Sequence, residues 1–179
     1  MCHYDSMKEH LIEIETHLQE DMLPFALQIE QLNTIYGIST TASCAIIAEI
    51  GTDMKPFKTA EHICSWAGLC PGNNESAQKR KTGKMRKGNA LLRSTLVVCA
   101  HSATRNKNSY FYAQFMRISS HRGKKRAYVA VAHSMLIAIY HILKDGVVFK
   151  DLGADYYNQF NMERKINAYL KKLKALGWE

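Results

Sequence analysis

Residues 127–143 read Ala-Tyr-Val-Ala-Val-Ala-His-Ser-Met-Leu-Ile-Ala-Ile-Tyr-His-Ile-Leu, an apolar run without Lys, Arg, Asp or Glu. The 17 residues lie between Arg126 and Lys144 and contain His133 and His141. This length is at the short limit for crossing a bilayer. We therefore expect this run to form the buried central helix of an all-α protein rather than a membrane span.

The N-terminal segment carries a second helical pattern. Its apolar residues recur at steps of three and four, which places them along one stripe of a helix. They are Met7, Leu11, Ile14, Leu18, Met22, Phe25, Ile29 and Leu32. Pro24 is expected to kink this helix or to open a second segment. The narrow stripe predicts a coiled-coil-like segment over residues 1–33, although ordinary packing on the core explains it equally well.

The remaining helices are predicted within a domain that covers residues 34–179. Apolar spacing, capping residues and glycines indicate helices near 41–50, 59–66, 89–100, 110–118, 127–145 and 162–176. The polar, glycine-containing stretches at 71–88 and 121–126 are expected to be exposed loops. The sequence lacks a convincing alternation of apolar and polar residues, so the predicted fold class is all-α.

Charge is distributed very unevenly along the chain. The net charge is +8, and residues 76–144 hold fifteen Lys and Arg and no Asp or Glu. Residues 1–34 hold seven acids and one Lys. A solvated surface normally mixes the two signs, so the acid-free stretch predicts contact with nucleic acid. The candidate binding residues are Lys79, Arg80, Lys81, Lys84, Arg86, Lys87, Arg93, Arg122, Lys124, Lys125 and Arg126.

Several other kinds of protein are disfavoured by composition and motifs. Five cysteines without a C-x-x-C pair indicate neither a disulfide framework nor a zinc ribbon. The residues after Met1 do not resemble a secretion signal, so we expect reduced thiols and a cytoplasmic location. No phosphate-binding G-x-x-x-x-G-K-[ST] motif or metal-binding histidine motif is present. A nucleotide-driven machine and a histidine metal site are therefore not predicted.

Two short segments are candidates for contact with a phosphate. The turn Gly37-Ile38-Ser39 has the outline of a helix-hairpin-helix, in which backbone N–H groups face a phosphate, although such turns also arise for geometric reasons alone. Ser76 lies in the predicted loop immediately before the first cations. Its hydroxyl is a candidate nucleophile toward a phosphodiester, and its ordinary alternative is a solvated turn serine.

Several motifs together resemble a known family. They are Tyr36-Gly37-Ile38-Ser39, Ala48-Glu49-Ile50-Gly51, Pro56-Phe57, Ser65-Trp66-Ala67-Gly68-Leu69-Cys70-Pro71, Glu75-Ser76 and Lys87-Gly88-Asn89 with Leu92-Arg93. In this combination the chain resembles the C-terminal transposase domain of the bacterial insertion-sequence family one-hundred-ten, also described as bridge-RNA-guided serine recombinases. The resemblance runs in register over residues 34–150.

The resemblance implies that Ser76 is the nucleophile that links covalently to DNA during excision and insertion. It implies DNA and a guide RNA as partners, and assembly into a homo-oligomer through the N-terminal helix. Family members also carry an N-terminal RuvC-like domain whose acidic residues bind metal. We therefore expect this chain to be the C-terminal part of such an enzyme, with no cofactor of its own and Mg²⁺ held by the other half.

Two other functions remain open on the sequence. The chain could be a non-catalytic, basic helical module for nucleic-acid binding or dimerisation, in which Ser76 has no chemical role. It could also bind membranes or acidic proteins through the same cations.

On its own, a catalytic version is expected to bind DNA but to cleave it poorly.

Overall fold

The computed structural model describes residues 3–70, 75–76, 79–80 and 87–175, and the fold is all-α apart from one two-residue strand pair. The helices are α1 (His3–Met22), α2 (Ala26–Asn33), α3 (Thr40–Ile50), α4 (Ala60–Trp66), α5 (Ala90–Ala103), α6 (Tyr110–Arg122), α7 (Lys124–Asp145) and α8 (Tyr156–Ala175). A 3-10 turn, Leu23–Phe25, joins α1 to α2. The strands β1 (Glu75–Ser76) and β2 (Lys79–Arg80) pair antiparallel.

Helix α7 lies at the centre of the core. It packs against α2, α4, α5 and α6, and its buried residues include Val131, Met135 and Ile139 at successive turns. Within the described residues, α7 is also the one helix long and apolar enough to cross a membrane by length and composition. Its packing against four other helices confirms the prediction of a central core helix.

Pro24 divides the N-terminal segment as the sequence predicts. It lies in the 3-10 turn between α1 and α2, because proline lacks the N–H needed inside a helix. Helix α1 has no buried residue, whereas Ile29 and Leu32 of α2 belong to the core. Within the described residues, α1 is therefore largely exposed, and its last residue, Met22, packs against the core beside α2.

Side-chain caps define where four of the helices begin. Ser39, Thr59, Asn89 and Ser109 each accept a hydrogen bond from the backbone N–H three residues later, at the start of α3, α4, α5 and α6. Such caps satisfy backbone donors that have no partner inside the helix. The predicted starts of the helices near residues 41, 59 and 89 are thereby confirmed to within one or two residues.

The stretch 121–126 was expected to be a loop, and this prediction is wrong. His121 and Arg122 end α6, and Lys124, Lys125 and Arg126 form the first turn of α7. Gly123 alone separates the two helices, with a φ of 80° that favours glycine. Helix α8 also begins at Tyr156 instead of 162.

Candidate nucleic-acid interface

The segment that contains Ser76 leaves the core at a well-formed helix end. After α4, the Leu69 N–H donates to the Cys64 carbonyl at 3.0 Å, and the Gly68 N–H donates to the Ser65 carbonyl at 3.1 Å. Gly68 has a φ of 73°. These two bonds and the left-handed glycine form a Schellman motif, which ends a helix and redirects the chain. Ala67-Gly68-Leu69 therefore has a structural role.

The chain returns to the same place. A Cβ built on Gly88 would lie 2.6 Å from the Ala67 carbonyl carbon and 2.7 Å from the Gly68 Cα, so only glycine fits there without movement. The Asn89 N–H donates to the Trp66 carbonyl at 3.3 Å. We call residues 67–70 and 87–89 the loop base, because they hold together the two ends of the segment 71–86.

Asn89 also fixes the loop base to α3 and α5. Its side-chain oxygen accepts a hydrogen bond from the Leu92 N–H at 2.9 Å and so caps α5. Its side-chain nitrogen donates to the carboxylate of Glu49, near the C-terminal end of α3. Asn89 therefore connects α3, α4 and α5 at one point.

In the sequence, Glu49 stood out only as part of the motif Ala48-Glu49-Ile50-Gly51, with no partner assigned to it. A carboxylate near the C-terminal end of a helix is unfavourable with the helix dipole, so its place in the last turn of α3 was a signal that it has a partner.

Ser76 lies on the short hairpin within this segment. In the strand pair, Ser76 is opposite Lys79 and Glu75 is opposite Arg80. The predicted binding residues Lys81, Lys84 and Arg86 lie outside the described residues. The backbone thus brings Ser76 next to the first cations of the acid-free stretch.

The second group of cations lies toward the same end of α7 as the loop base. The Tyr140 hydroxyl donates to the Phe57 carbonyl at 3.1 Å, and the Cys64 thiol lies 3.8 Å from the His133 carbonyl. From Phe57 to Cys64 the chain advances toward the end of α4, whereas the partners on α7 go back from Tyr140 to His133. Helices α4 and α7 therefore run antiparallel. The C-terminal end of α4, where the loop base lies, points toward the N-terminal end of α7.

Burial keeps the thiol in this contact protonated. It raises the pKa of Cys64 to about 12, so the side chain remains an S–H donor at neutral pH.

The cations at the α6–α7 junction are exposed. Arg122, Lys124, Lys125 and Arg126 all face solvent, and in the described part of the chain none of them has a carboxylate within ion-pair distance. Helix α7 has no side-chain cap and no acid in its first turn. Cations at a helix N-terminus oppose the helix dipole, so a bound anion would stabilise this end. Of the other candidates, Lys87 is exposed beside Gly88, and Arg93 is half-buried on α5.

The turn at Gly37 packs on the core. Gly37 has a φ of 88°, and a Cβ there would lie 2.5 Å from the Cys99 carbonyl oxygen and the Ala103 nitrogen of α5. Ser39 follows and caps α3. Close packing against α5 is by itself a reason for glycine here, and the connection of two helices by a short turn is consistent with a helix-hairpin-helix outline.

The resemblance implies Mg²⁺ in the complete enzyme, which raises the question of whether side chains of this chain could hold it. Residues 3–70 and 87–175, as far as their side chains are described, contain no group of three Asp, Glu, His or Cys that could hold a metal ion. The described side chains therefore offer no such cluster for Mg²⁺.

Comparison with known proteins gives the class of this domain. Residues 29–116 match a family of insertion-sequence transposases, and the match covers slightly less than half of the chain. It begins within α2, includes α3 to α5, both parts of the loop base and Ser76, and ends within α6. This part of the chain is therefore similar to a transposase domain.

The particular family is the one described as the IS116/IS110/IS902 transposase family. This match supports the resemblance found in the sequence motifs over residues 29–116. No curated protein matches the chain.

Proposed function

We propose that this chain is the C-terminal part of an insertion-sequence transposase, which binds DNA and a guide RNA and supplies Ser76 as the nucleophile for strand cleavage. The observation that carries the proposal is the family match over residues 29–116, since this span contains Ser76 together with both parts of the loop base. The function is exerted in the cytoplasm, where the bacterial DNA is accessible.

Nucleic acid binds through the acid-free stretch. Phosphate contacts from Lys and Arg give affinity that does not depend on sequence, and the long cationic side chains at both ends of this stretch suit that role. The antiparallel arrangement of α4 and α7 supports one continuous surface, which includes the loop base and the α6–α7 junction. The guide RNA then selects the target site, because its bases can pair with DNA.

The chemical step is a transesterification at phosphorus. The Ser76 oxygen forms a bond to phosphorus as the bond from phosphorus to the sugar oxygen of the leaving strand breaks. The serine proton is released, and the leaving sugar oxygen takes up a proton to become a hydroxyl. The phosphodiester energy is kept in the phosphoserine ester, so a second strand can reverse the step without ATP. Lys79 and Arg80 neutralise the charge that develops on the phosphoryl oxygens.

The loop base holds both ends of the segment that carries Ser76. The segment 71–86 begins and ends at one point, where Gly88 lies against the backbone of Ala67 and Gly68. Chemical groups act best when rigid elements hold them near the reacting geometry. Full activity requires the RuvC-like half, to which the resemblance assigns the metal-binding acidic residues. The assembled enzyme is a homo-oligomer.

The experiment that tests the catalytic role looks for a covalent DNA–protein link. The purified chain is incubated with donor DNA, with guide RNA, and with or without a separately supplied RuvC-like half. We expect a denaturant-resistant adduct in the complete mixture, no adduct with Ser76→Ala, and a normal adduct with the matched control Ser119→Ala on α6. An equal amount of adduct with Ser76→Ala would overturn the assignment.

The same variants separate the proposal from its main rival, a non-catalytic binding module. In that case Ser76→Ala leaves every measurable activity unchanged, while charge reversal in the acid-free stretch abolishes binding. Absence of an adduct from the complete mixture, together with intact DNA binding, would favour the module.

A further inference from the structure

Two helices at opposite ends of the chain expose matching apolar stripes. Both α1 and α8 are 20 residues long. The stripe of α1 is Met7, Leu11, Ile14 and Leu18, and the stripe of α8 is Met162, Ile166, Tyr169 and Leu173. Both follow steps of four, three and four residues, which is the spacing of a coiled-coil seam. The eight side chains are between 39% and 63% exposed.

The described residues of one chain leave both stripes exposed. Helix α1 contacts the 3-10 turn that follows it, and α8 contacts α6. Among the residues with described positions, α1 and α8 do not pack on each other as a pair. The start of α8 is held on α6, because the Tyr157 hydroxyl donates to the Tyr110 hydroxyl at 2.7 Å and the Arg117 guanidinium lies 4.4 Å from the Tyr157 ring centre.

The two helices carry opposite charge. Helix α1 has six acids and one Lys, a net charge of −5, and α8 has five Lys and Arg and one Glu, a net charge of +4. Two copies of α1 placed side by side would therefore repel each other, and so would two copies of α8. A pair of one α1 and one α8 brings complementary charges beside complementary apolar stripes.

We propose that α1 of one copy packs along α8 of a second copy of this chain. The two-fold symmetric dimer then contains two such pairs, because a symmetric contact repeats itself on both subunits. Each pair is about 30 Å long, the length of a 20-residue helix. The inference goes beyond the proposed function, since it assigns α8 as the partner surface and does not depend on Ser76 or on nucleic acid.

The experiment measures the molar mass of the purified full chain, without nucleic acid, by light scattering and sedimentation over a range of concentrations. One variant reverses charges on α8 through Lys171→Glu, Lys172→Glu and Lys174→Glu, and is called the α8-reversed variant. A second reverses charges on α1 through Glu9→Lys, Glu13→Lys and Glu20→Lys, and is called the α1-reversed variant. All six residues are exposed. A third, control variant carries Lys55→Glu, Lys58→Glu and Lys150→Glu, which are exposed cations on neither helix.

We expect the original chain and the control to be dimers. Each reversed variant alone should be monomeric, with the dimer dissociation constant raised by about 100-fold, and each should keep its helical circular dichroism. An equal mixture of the two reversed variants should form a heterodimer. In it, the acidic α1 of the α8-reversed variant meets the basic α8 of the α1-reversed variant. The second pair joins the two reversed helices, whose charges are again opposite.

Three results would overturn the proposal. The original chain could remain a monomer at all concentrations, as it would if α1 folded onto its own α8. The α8-reversed variant could remain a dimer, as it would if α1 paired with α1. The mixture could contain monomers alone. Loss of DNA adducts with normal dimers would instead count against the proposed function and leave this inference intact.

Discussion

Gly88 lies directly against the backbone of Gly68, so that a Cβ on Gly88 would come within 2.7 Å of the Gly68 Cα. The two glycines are twenty residues apart in the sequence, and the contact brings both ends of the Ser76 segment to one point. Because Gly68 belongs to the Schellman motif that ends α4, the contact also joins the end of α4 to the start of α5.

The substitution Gly88→Ala should destabilise the fold. The new methyl group would clash with backbone atoms that cannot rotate away, at a cost of about 2 kcal/mol in the free energy of unfolding. The control is Gly146→Ala, where a Cβ meets open space but the φ of 66° is unfavourable, at about 1 kcal/mol. Urea unfolding followed by circular dichroism measures both. A smaller effect at Gly88 than at Gly146 would contradict the close contact.

The bond between Asn89 and Glu49 should appear as an energetic coupling. Asn89→Ala removes the cap of α5 and the hydrogen bond to the Glu49 carboxylate, and should lower the free energy of unfolding by about 1 to 2 kcal/mol. Glu49→Ala removes the second contact alone. A double-mutant cycle of the two substitutions should give a coupling of about 1 kcal/mol. Strictly additive effects would mean that the two side chains do not interact.

Stability should fall in mild acid because of His133. Burial between α4 and α7 lowers its pKa below the usual value, and the nearby Glu61 charge offsets this in part. The folded state therefore favours the neutral ring. The contribution to stability is present above the unfolded pKa near 6.5 and is lost as the pH falls through the lower folded pKa.

Urea unfolding at about pH 7.5 and about pH 5.5 measures the effect. Between these two pH values, the free energy of unfolding should fall less in His133→Gln than in the original chain. In the exposed control His121→Gln it should fall as much as in the original chain. An equal loss in all three proteins would show that His133 is not responsible.

Charge reversal at the start of α7 should weaken DNA binding in a salt-dependent way. The variant Lys124→Glu, Lys125→Glu and Arg126→Glu loses up to three phosphate contacts. The slope of log affinity against log salt should become shallower by about 0.9 for each contact. Filter binding or fluorescence anisotropy with the same DNA measures the slope.

The matched control is again Lys55→Glu, Lys58→Glu and Lys150→Glu, which changes the net charge equally but lies outside the acid-free stretch. Equal slopes in the two variants would mean that net charge alone, and not a defined surface, attracts the DNA.

Much of the fold could be predicted from local patterns. The apolar run 127–143 indicated the central helix, and capping residues helped to predict helix starts near 59 and 89, because capping depends on residues only three positions apart. Pro24 likewise marked the break after α1. These features need no knowledge of distant parts of the chain.

What escaped prediction depends on tertiary contacts. Composition favoured a loop at 121–126, but α6 and α7 pack together and their helices continue up to Gly123. The start of α8 at Tyr156 is stabilised by aromatic contacts with Tyr110, 46 residues earlier in the chain. The hydrogen bond between Glu49 and Asn89 likewise depends on the packing of distant parts of the chain. The proposed role of Ser76 rests on the resemblance and the family match, since a single serine in a polar segment has no local signature.

The most direct measurement identifies the amino acid to which DNA becomes attached. The complete reaction, with donor DNA, guide RNA and the RuvC-like half, is stopped with denaturant, digested with nuclease and protease, and analysed by mass spectrometry. We expect a nucleotide remnant on the peptide that contains Ser76, linked through the serine oxygen. A remnant on any other residue, or cleaved DNA without a covalent link to this chain, would contradict it.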